Sequence, residues 1–353
     1  MWEPAKYTED RFNDMIDMSI ENFGTDNDIC DKKFIQHQYF ENPVGDALIE
    51  FAVDPDNGAL AGQYVVNPAR FRCFGKDVKC VTSLNTLTRK AYRGQKIFVK
   101  LAEMVYQRAA GEGYEFVYGA PNQNSHHGFI ARLNFEDITE FPLYMRPLVP
   151  SEMVKEYTGN AVLSTISKPV NAFFKFNHKN TTTIVKLNES NVSLMDAFWD
   201  AIQDRYPVMG IRNAEYIRWR YLVVPRRTYY PYVSVVDNKI VAFAVGRIRE
   251  VSKFNAGMIA DFLYLDGYEK EAKDLINAVV TLMKRDGATL AGCIMLSHTK
   301  EAHLLEKNGF FKCPDKLLPQ PTPLILRVLD QNMCEKIKDI NNWFFTTGDY
   351  DVV

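Results

Sequence analysis

Residues Ser83–Leu101 read SLNTLTRKAYRGQKIFVKL. A β-rich run closes near Leu87, an Arg-Gly loop follows, and an apolar stripe at helical spacing begins near Gln95. That stripe runs to about Ala110 through Ile97, Phe98, Leu101, Ala102, Met104, Val105 and Ala109. A loop feeding a helix start presents unpaired backbone N–H groups and the positive end of the helix dipole, and the two together hold phosphates. Gly94 lets the backbone approach a ligand closely. Arg89, Lys90, Arg93 and Lys96 add four cations within eight residues. The same residues would also serve as a plain basic turn ahead of an amphipathic helix.

Outward from this stretch, Glu9–Phe23 shows helical spacing, and Ala47–Val53, Leu60–Val66 and Val78–Leu87 read as strands. The turn Asp54-Pro55-Asp56-Asn57-Gly58 joins the first two strands as a hairpin. After the long helix come Gly111 and Gly113, a buried strand Tyr114–Gly119, and a shorter helix at about Asn124–Leu133. The second half repeats the plan. GEGYEFVYGAPNQNSHHGFIARLNF, ending at Phe135, matches DGATLAGCIMLSHTKEAHLLEKNGF, ending 175 residues later at Phe310, in the order of elements. The expected fold is therefore mixed α/β, with two similar domains, each a mostly antiparallel sheet flanked by helices. The expected divisions are 1–150, a crossover linker 151–189, a second domain 190–330, and a C-terminal tail 331–353 that docks because its WFFTTGDYDVV ending is aromatic.

The 353 residues are 46% hydrophobic and 24% charged, the make-up of a soluble globular protein. Lys and Arg total 42 against 44 Asp and Glu, so no nucleic-acid partner is expected. No run approaches the roughly 18 apolar residues of a membrane span, so no membrane partner is expected either. The opening MWEPAKYTED carries no apolar stretch of a secretory signal. Six scattered cysteines without a CxxC pair read as reduced thiols of a cytoplasmic protein. His126 and His127 point about 100° apart on a helix and chelate one metal poorly, so no metal is expected.

Strand, YRGQKIF loop, long helix, strand, and a helix closing on Asn134-Phe135 resemble the GNAT acyltransferase superfamily. The resemblance covers about residues 10–145, and in element order again about 190–315. It implies that Arg93, Gly94, Gln95, Lys96, Ile97 and Phe98 hold the pyrophosphate of coenzyme A, the acyl-CoA co-substrate. The superfamily pattern R-G-x-G-x-G/A is altered: Lys96 replaces the middle glycine, and Phe98, bulky enough to turn into the core, replaces the last small residue. The resemblance further implies a splayed strand whose backbone at Leu87 and Thr88 engages the pantetheine arm and the thioester. It places a coenzyme contact at Asn122 or Asn124, although an N-cap role would explain Asn124 or Ser125 fully. Many members use a tyrosine acid four residues before the closing pair, where this chain has Ile130. His126, with Asn124 beside it, is then the candidate acid or base.

In the second half the offset carries Arg93–Phe98 onto Tyr268–Lys273, where Glu269 and Glu271 would repel a pyrophosphate. One coenzyme per chain is expected. The second domain is free for acceptor recognition, and NAEYIRWRYLVVPRR is its best candidate. There Tyr216, Arg218, Trp219, Arg220, Arg226 and Arg227 combine rings with guanidinium forks suited to a diphosphate. A solvated arginine face over core aromatics is the other reading. The whole resembles bacterial N-acyltransferases of nucleotide-linked amino sugars. An N-acetyltransferase for another small amine, and a non-catalytic acyl-CoA sensor, are the alternatives.

Overall fold

A computed structural model of the protein describes residues 1–174, 182–314, 318 and 322–350; part of the 151–189 span and the last three tail residues lie outside them. In chain order the elements begin with β1 (Glu3–Lys6), α1 (Phe12–Phe23), α2 (Lys32–Phe40), β2 (Leu48–Val53), β3 (Leu60–Cys73), β4 (Lys76–Thr88), α3 (Ile97–Gly111), β5 (Phe116–Gly119), α4 (Gln123–Leu133) and β6 (Glu136–Glu140). They continue with β7 (Leu143–Pro147), α5 (Pro150–Thr158), α6 (Ala161–Ser167), β8 (Thr183–Lys186), α7 (Leu194–Ile202), β9 (Val208–Gly210), α8 (Ala214–Ile217), β10 (Tyr230–Val236), β11 (Lys239–Val251) and β12 (Phe254–Tyr264). The last are α9 (Glu269–Arg285), β13 (Leu290–Ile294), α10 (Lys300–Lys307), β14 (Phe311–Lys312), β15 (Pro323–Val328) and β16 (Trp343–Phe344).

These elements form two compact units, Met1–Glu140 with Val224–Arg226 and Thr322–Asn342, and Phe141–Val223 with Arg227–Pro321 and Trp343–Val353. In the first, strands run β1-β2-β3-β4-β5-β15-β6. One face packs Leu48, Tyr64, Val66 and Val81 against Leu101, Val105 and Tyr106 of α3 and Phe129 and Leu133 of α4. The other packs Ile49, Phe51, Val65, Leu84 and Leu87 against Met15 and Met18 of α1 and Phe34 and Ile35 of α2. The period of two along each strand places alternate residues on these two faces. In the second unit, strands run β14-β7-β13-β12-β11-β10-β8. Two mixed sheets flanked by helices are the fold class the sequence implied.

The divisions differ from the expected ones. β7 precedes residue 150 but pairs antiparallel with β13, Cys293 facing Tyr144. β15 precedes 330 but lies between β5 and β6, Ile325 facing Gly119. Each of these strands pairs with a strand that the other half of the chain would otherwise leave at a sheet edge. The expected linker carries α5, α6 and β8, and the tail divides at Asn342.

One irregularity matters for function. β4 and β5 run parallel only from Cys80↔Phe116 to Thr82↔Tyr118, yet β4 continues to Thr88. Beyond Thr82 the two strands part. Asn85, at φ +49°, forms a bulge there, and the β3–β4 register shifts between Gln63 and Val65. β12 and β13 repeat the arrangement, their parallel ladder ending at Ile259↔Cys293 while β12 runs on to Tyr264.

Candidate active site

A cleft of about 540 Å³ opens in the first unit where β4 leaves β5. Thr86, Leu87 and Thr88 line it from β4, Arg93 and Phe98 from the loop and first turn of α3, and Asn22 and Phe23 from the end of α1. Asn122, Asn124, Ser125, His127, Gly128 and Arg132 line it from the start and one face of α4. The charged lining groups are Arg93 and Arg132, and no carboxylate is among the lining residues. Such a cleft favours an anion.

The Arg-Gly loop has the geometry of an open helix start. Gly94 sits at φ +82° with open space where a side chain would be, a conformation costly for other residues. Lys96, which stands where the superfamily pattern has its middle glycine, takes the left-handed conformation, φ +60°, and no side chain caps α3. The first-turn N–H groups of α3 therefore have no acceptor within the helix. Gln95 is exposed and its carbonyl accepts from Trp2 Nε1 at 3.2 Å, while Ile97 is buried in the core. Arg89 is spent elsewhere: it grips Glu21 at 2.8 and 3.0 Å and the Leu60 carbonyl at 2.9 Å. Arg93 stays exposed at the cleft.

Phe98 explains how the altered motif is tolerated. Its ring stands edge-on to Phe129 at 5.3 Å and tilted to Tyr64 at 5.6 Å. A Cβ on Gly128 would lie 3.1 Å from Phe98 Cε1. The small residue the pattern wants at position 98 has in effect moved to 128, across the cleft wall. Gly128 escaped the sequence reading because a glycine inside a helical pattern signals only lost stability.

At α4 the structure reassigns three roles. Asn122 is the N-cap, its Oδ1 accepting from Asn124 N at 3.0 Å and Ser125 N at 3.1 Å. That leaves the Asn124 side chain at the cleft outside the cap. His126, the expected acid or base, is not among the cleft-lining residues: its Nε2 meets Asp137 Oδ1 at 2.6 Å. His127 lines the cleft instead. Adjacent helical positions diverge by about 100°, and sequence alone does not say which of the two faces inward. Ile130, at the tyrosine position, packs against the core.

In the second unit the tail occupies the gap past the β12–β13 ladder, and a cleft of about 650 Å³ opens beside it at the start of α9, with the carboxylates Asp266, Glu269 and Glu306 in its lining. Thr347 Oγ donates to the Ala260 carbonyl at 3.0 Å, just past the end of the β12–β13 ladder, and Thr346 bridges Met295. Arg205 reaches the Tyr264 carbonyl, Glu301 at 2.9 Å and Asp266 at 3.0 Å. Asp266 and Glu269 stand at the start of α9. The tail is held from several sides: Phe345 stacks on Phe141 at 4.8 Å, and buried Arg212 grips Asp349 with Asp261 and Thr346.

The arginine and aromatic segment is a correction to the sequence expectation. Arg220 is 6% exposed. It donates to the carbonyls of Thr347, Gly348 and Tyr350 and to Tyr229 OH, all at 2.9–3.4 Å. Tyr216 OH donates to the Gly348 carbonyl at 2.6 Å and its ring packs on Trp219 at 5.8 Å. Arg218 pairs with Glu189 at 2.8 Å, and Arg226 lies near Asp28 and Asp31 at 3.6 and 3.4 Å. Arg227 is half-buried. Arg220 and Tyr216 thus anchor the tail, and Arg218 and Arg226 already have protein counter-ions.

Among the described residues, no helix is long and apolar enough to cross a membrane. No curated protein matches the sequence. Several solved structures do share the fold. A GCN5-related N-acetyltransferase from Anabaena variabilis is 10% identical with a TM-score of 0.65, covering 94% of this chain and 73% of its own. A probable N-acyltransferase from Enterococcus faecalis is 11% identical with a TM-score of 0.65, covering 93% and 73%. N-myristoyltransferase from Saccharomyces cerevisiae, with bound myristoyl-CoA, is 14% identical with a TM-score of 0.62, covering 92% and 82%. At these identities the likeness concerns the fold. Residues 3–138 match the family model described as acetyltransferase (GNAT) domain. The first unit thus contains a GNAT acetyltransferase domain, over residues 3–138.

Proposed function

We propose that the protein transfers a small acyl group from acyl-CoA to an amine, with one coenzyme bound, in the cleft of the first unit. The observation that carries this is the cleft itself: it sits where β4 parts from β5, at the uncapped start of α3, with two cations and no carboxylate in its lining. The first-turn N–H groups of α3 and Arg93 receive the pyrophosphate. The pantetheine arm follows the parted edge of β4. A backbone N–H at Leu87 or Thr88 polarises the thioester carbonyl as the tetrahedral oxyanion forms. The amine nitrogen bonds to the carbonyl carbon and the C–S bond breaks. The nitrogen gives up one proton and the departing sulfur gains one, leaving an amide and free thiol. His127 is the imidazole at hand for that transfer, in place of His126. Asn124 orients the coenzyme from the helix start. Positioning supplies much of the acceleration.

A nucleotide-linked amino sugar is the acceptor to test first. Its support is the resemblance of the sequence, since Arg220 holds the tail and Arg218 and Arg226 meet carboxylates. A non-catalytic acyl-CoA sensor draws support from Ile130, which packs in the core where relatives carry tyrosine. Thiol release from acetyl-CoA in the presence of nucleotide amino sugars and other amines separates the readings. Enzyme-dependent release with an amine, lowered in His127→Ala, is expected. Tight coenzyme binding without release from any amine would favour the sensor.

A further inference from the structure

Two arginines of the cleft stand without protein partners. Arg93 and Arg132 both line it, both are exposed, and neither guanidinium has a hydrogen-bond or ion-pair partner among the described residues. Other arginines of the first unit are engaged. Arg11 meets Asp14 at 3.0 Å, Arg89 meets Glu21 at 2.8 Å, Arg108 meets Glu112 at 2.8 Å, and Arg327 donates to the Leu133 carbonyl at 2.9 Å. An arginine with no counter-ion keeps its planar fork of donors available, and that fork matches a phosphate. Arg93, beside the start of α3, has the pyrophosphate to receive. Arg132 is the cation still without a ligand group.

Its place on α4 says which group it meets. Asn124, Gly128 and Arg132 are four residues apart and share the face of α4 that lines the cleft. α4 begins at Gln123, shortly after β5 ends at Gly119 beside the parted edge of β4. Asn124 is therefore at the thioester end of the cleft. Arg132 is in the last turn, about 12 Å further along the helix axis. Side chains on a helix lean toward its N-terminus, so Arg132 reaches back toward Gly128. A Cβ on Gly128 would lie 3.1 Å from Phe98, in the first turn of α3. Arg132 thus serves the side where the phosphate loop opens α3, away from the thioester that an amine must meet. An anion on that side belongs to the nucleotide end of the coenzyme. One ribose ring away from its pyrophosphate, coenzyme A carries a phosphate monoester on the 3′ oxygen, with a charge of about −1.5 to −2 at neutral pH.

We propose that Arg132 receives the 3′-phosphate of the coenzyme, so that the cleft takes coenzyme A in preference to its 3′-dephospho form. This rests on the acyltransfer reading above. Arg93 and Arg132 then divide the labour: the first holds the pyrophosphate common to both forms, and the second reads the group that only one of them carries.

Titration calorimetry of the full chain with coenzyme A and with 3′-dephospho-coenzyme A tests this. The wild type should bind coenzyme A roughly tenfold to hundredfold more tightly, the worth of a charge-assisted contact, and the preference should shrink as salt rises. Arg132→Gln should lose that factor for coenzyme A and hold the dephospho form within about twofold. Arg93→Gln should weaken both ligands alike. Equal affinity of the wild type for the two ligands would overturn the proposal without any variant. So would an Arg132→Gln chain, shown by thermal unfolding to be folded, that weakens both ligands alike or keeps the full preference. Failure of the wild type to bind either ligand would instead overturn the acyltransfer reading, and this inference with it.

Discussion

Gly128 offers a steric test of the cleft. Its absent Cβ would lie 3.1 Å from Cε1 and 3.7 Å from Cδ1 and Cζ of Phe98. The ring cannot simply retreat, since Phe129 and Tyr64 hold its other sides at 5.3 and 5.6 Å. Gly128→Ala gains about 1 kcal/mol of helix propensity. It costs a ring shift of a few tenths of an ångström, an overpacking of about 1 kcal/mol at the low end of the usual range. Stability should stay close to wild type. Gly128→Val adds two further methyl groups and loses part of the propensity gain, so about 1–3 kcal/mol of destabilisation is expected. Because Phe98 and Gly128 both line the cleft, the ring relieves the clash by swinging into it. Calorimetry should then show coenzyme A binding weakened roughly tenfold or more, about 1.4 kcal/mol or above. Phe98→Leu in the same chain should recover much of both losses, a coupling visible in a double-mutant cycle. A folded Gly128→Val chain that binds coenzyme with wild-type affinity would refute the placement of the ligand between α3 and α4.

Three further outcomes follow from the geometry. Arg89→Ala removes the grip on Glu21 and Leu60, so thermal stability should fall by about 1 kcal/mol while coenzyme affinity holds; Arg93→Ala should do the reverse, weakening coenzyme about tenfold to hundredfold, more at low salt than at high. Arg220→Ala leaves the carbonyls of Thr347, Gly348 and Tyr350 without their donor, so unfolding should become easier by about 3 kcal/mol or more; a loss confined to acceptor KM with stability intact would restore the recognition role. Burial holds the Glu50 carboxyl above the usual range, only partly offset by Arg108 at 3.8 Å. Below the ordinary glutamate pKa both folded and unfolded states are protonated and nothing is lost; as pH rises through the raised folded value the penalty grows to its full size. Urea midpoints should therefore show Glu50→Gln more stable than wild type at pH 7 and equal to it well below the ordinary glutamate range.

The cleft was legible in the sequence because its parts are local. A strand end, an Arg-Gly loop and a helix start fall within Ser83–Leu101, and Gly94 in that loop takes the positive φ that a glycine permits. The repeat was legible for the same reason, and the parting of β12 from β13 repeats that of β4 from β5. What escaped depends on long-range pairing. Nothing in PLILRV says that β15 will lie beside β5, some 200 residues earlier in the chain. Arginines such as Arg220 read as solvated or ligand-binding, since a buried guanidinium shows only when its partners, here carbonyls more than 120 residues away, fold over it. Which of His126 and His127 faces the cleft turns on the rotation of α4, set by Phe129 and Leu133 in the core.

Titration calorimetry of coenzyme A against the full chain is the most direct test of a single coenzyme site in the first unit. One site per chain is expected, abolished or strongly weakened by Arg93→Glu and untouched by Lys270→Glu, at an exposed position in the first turn of α9. Two equivalent sites, or one that ignores Arg93→Glu and is lost with Lys270→Glu, would contradict it.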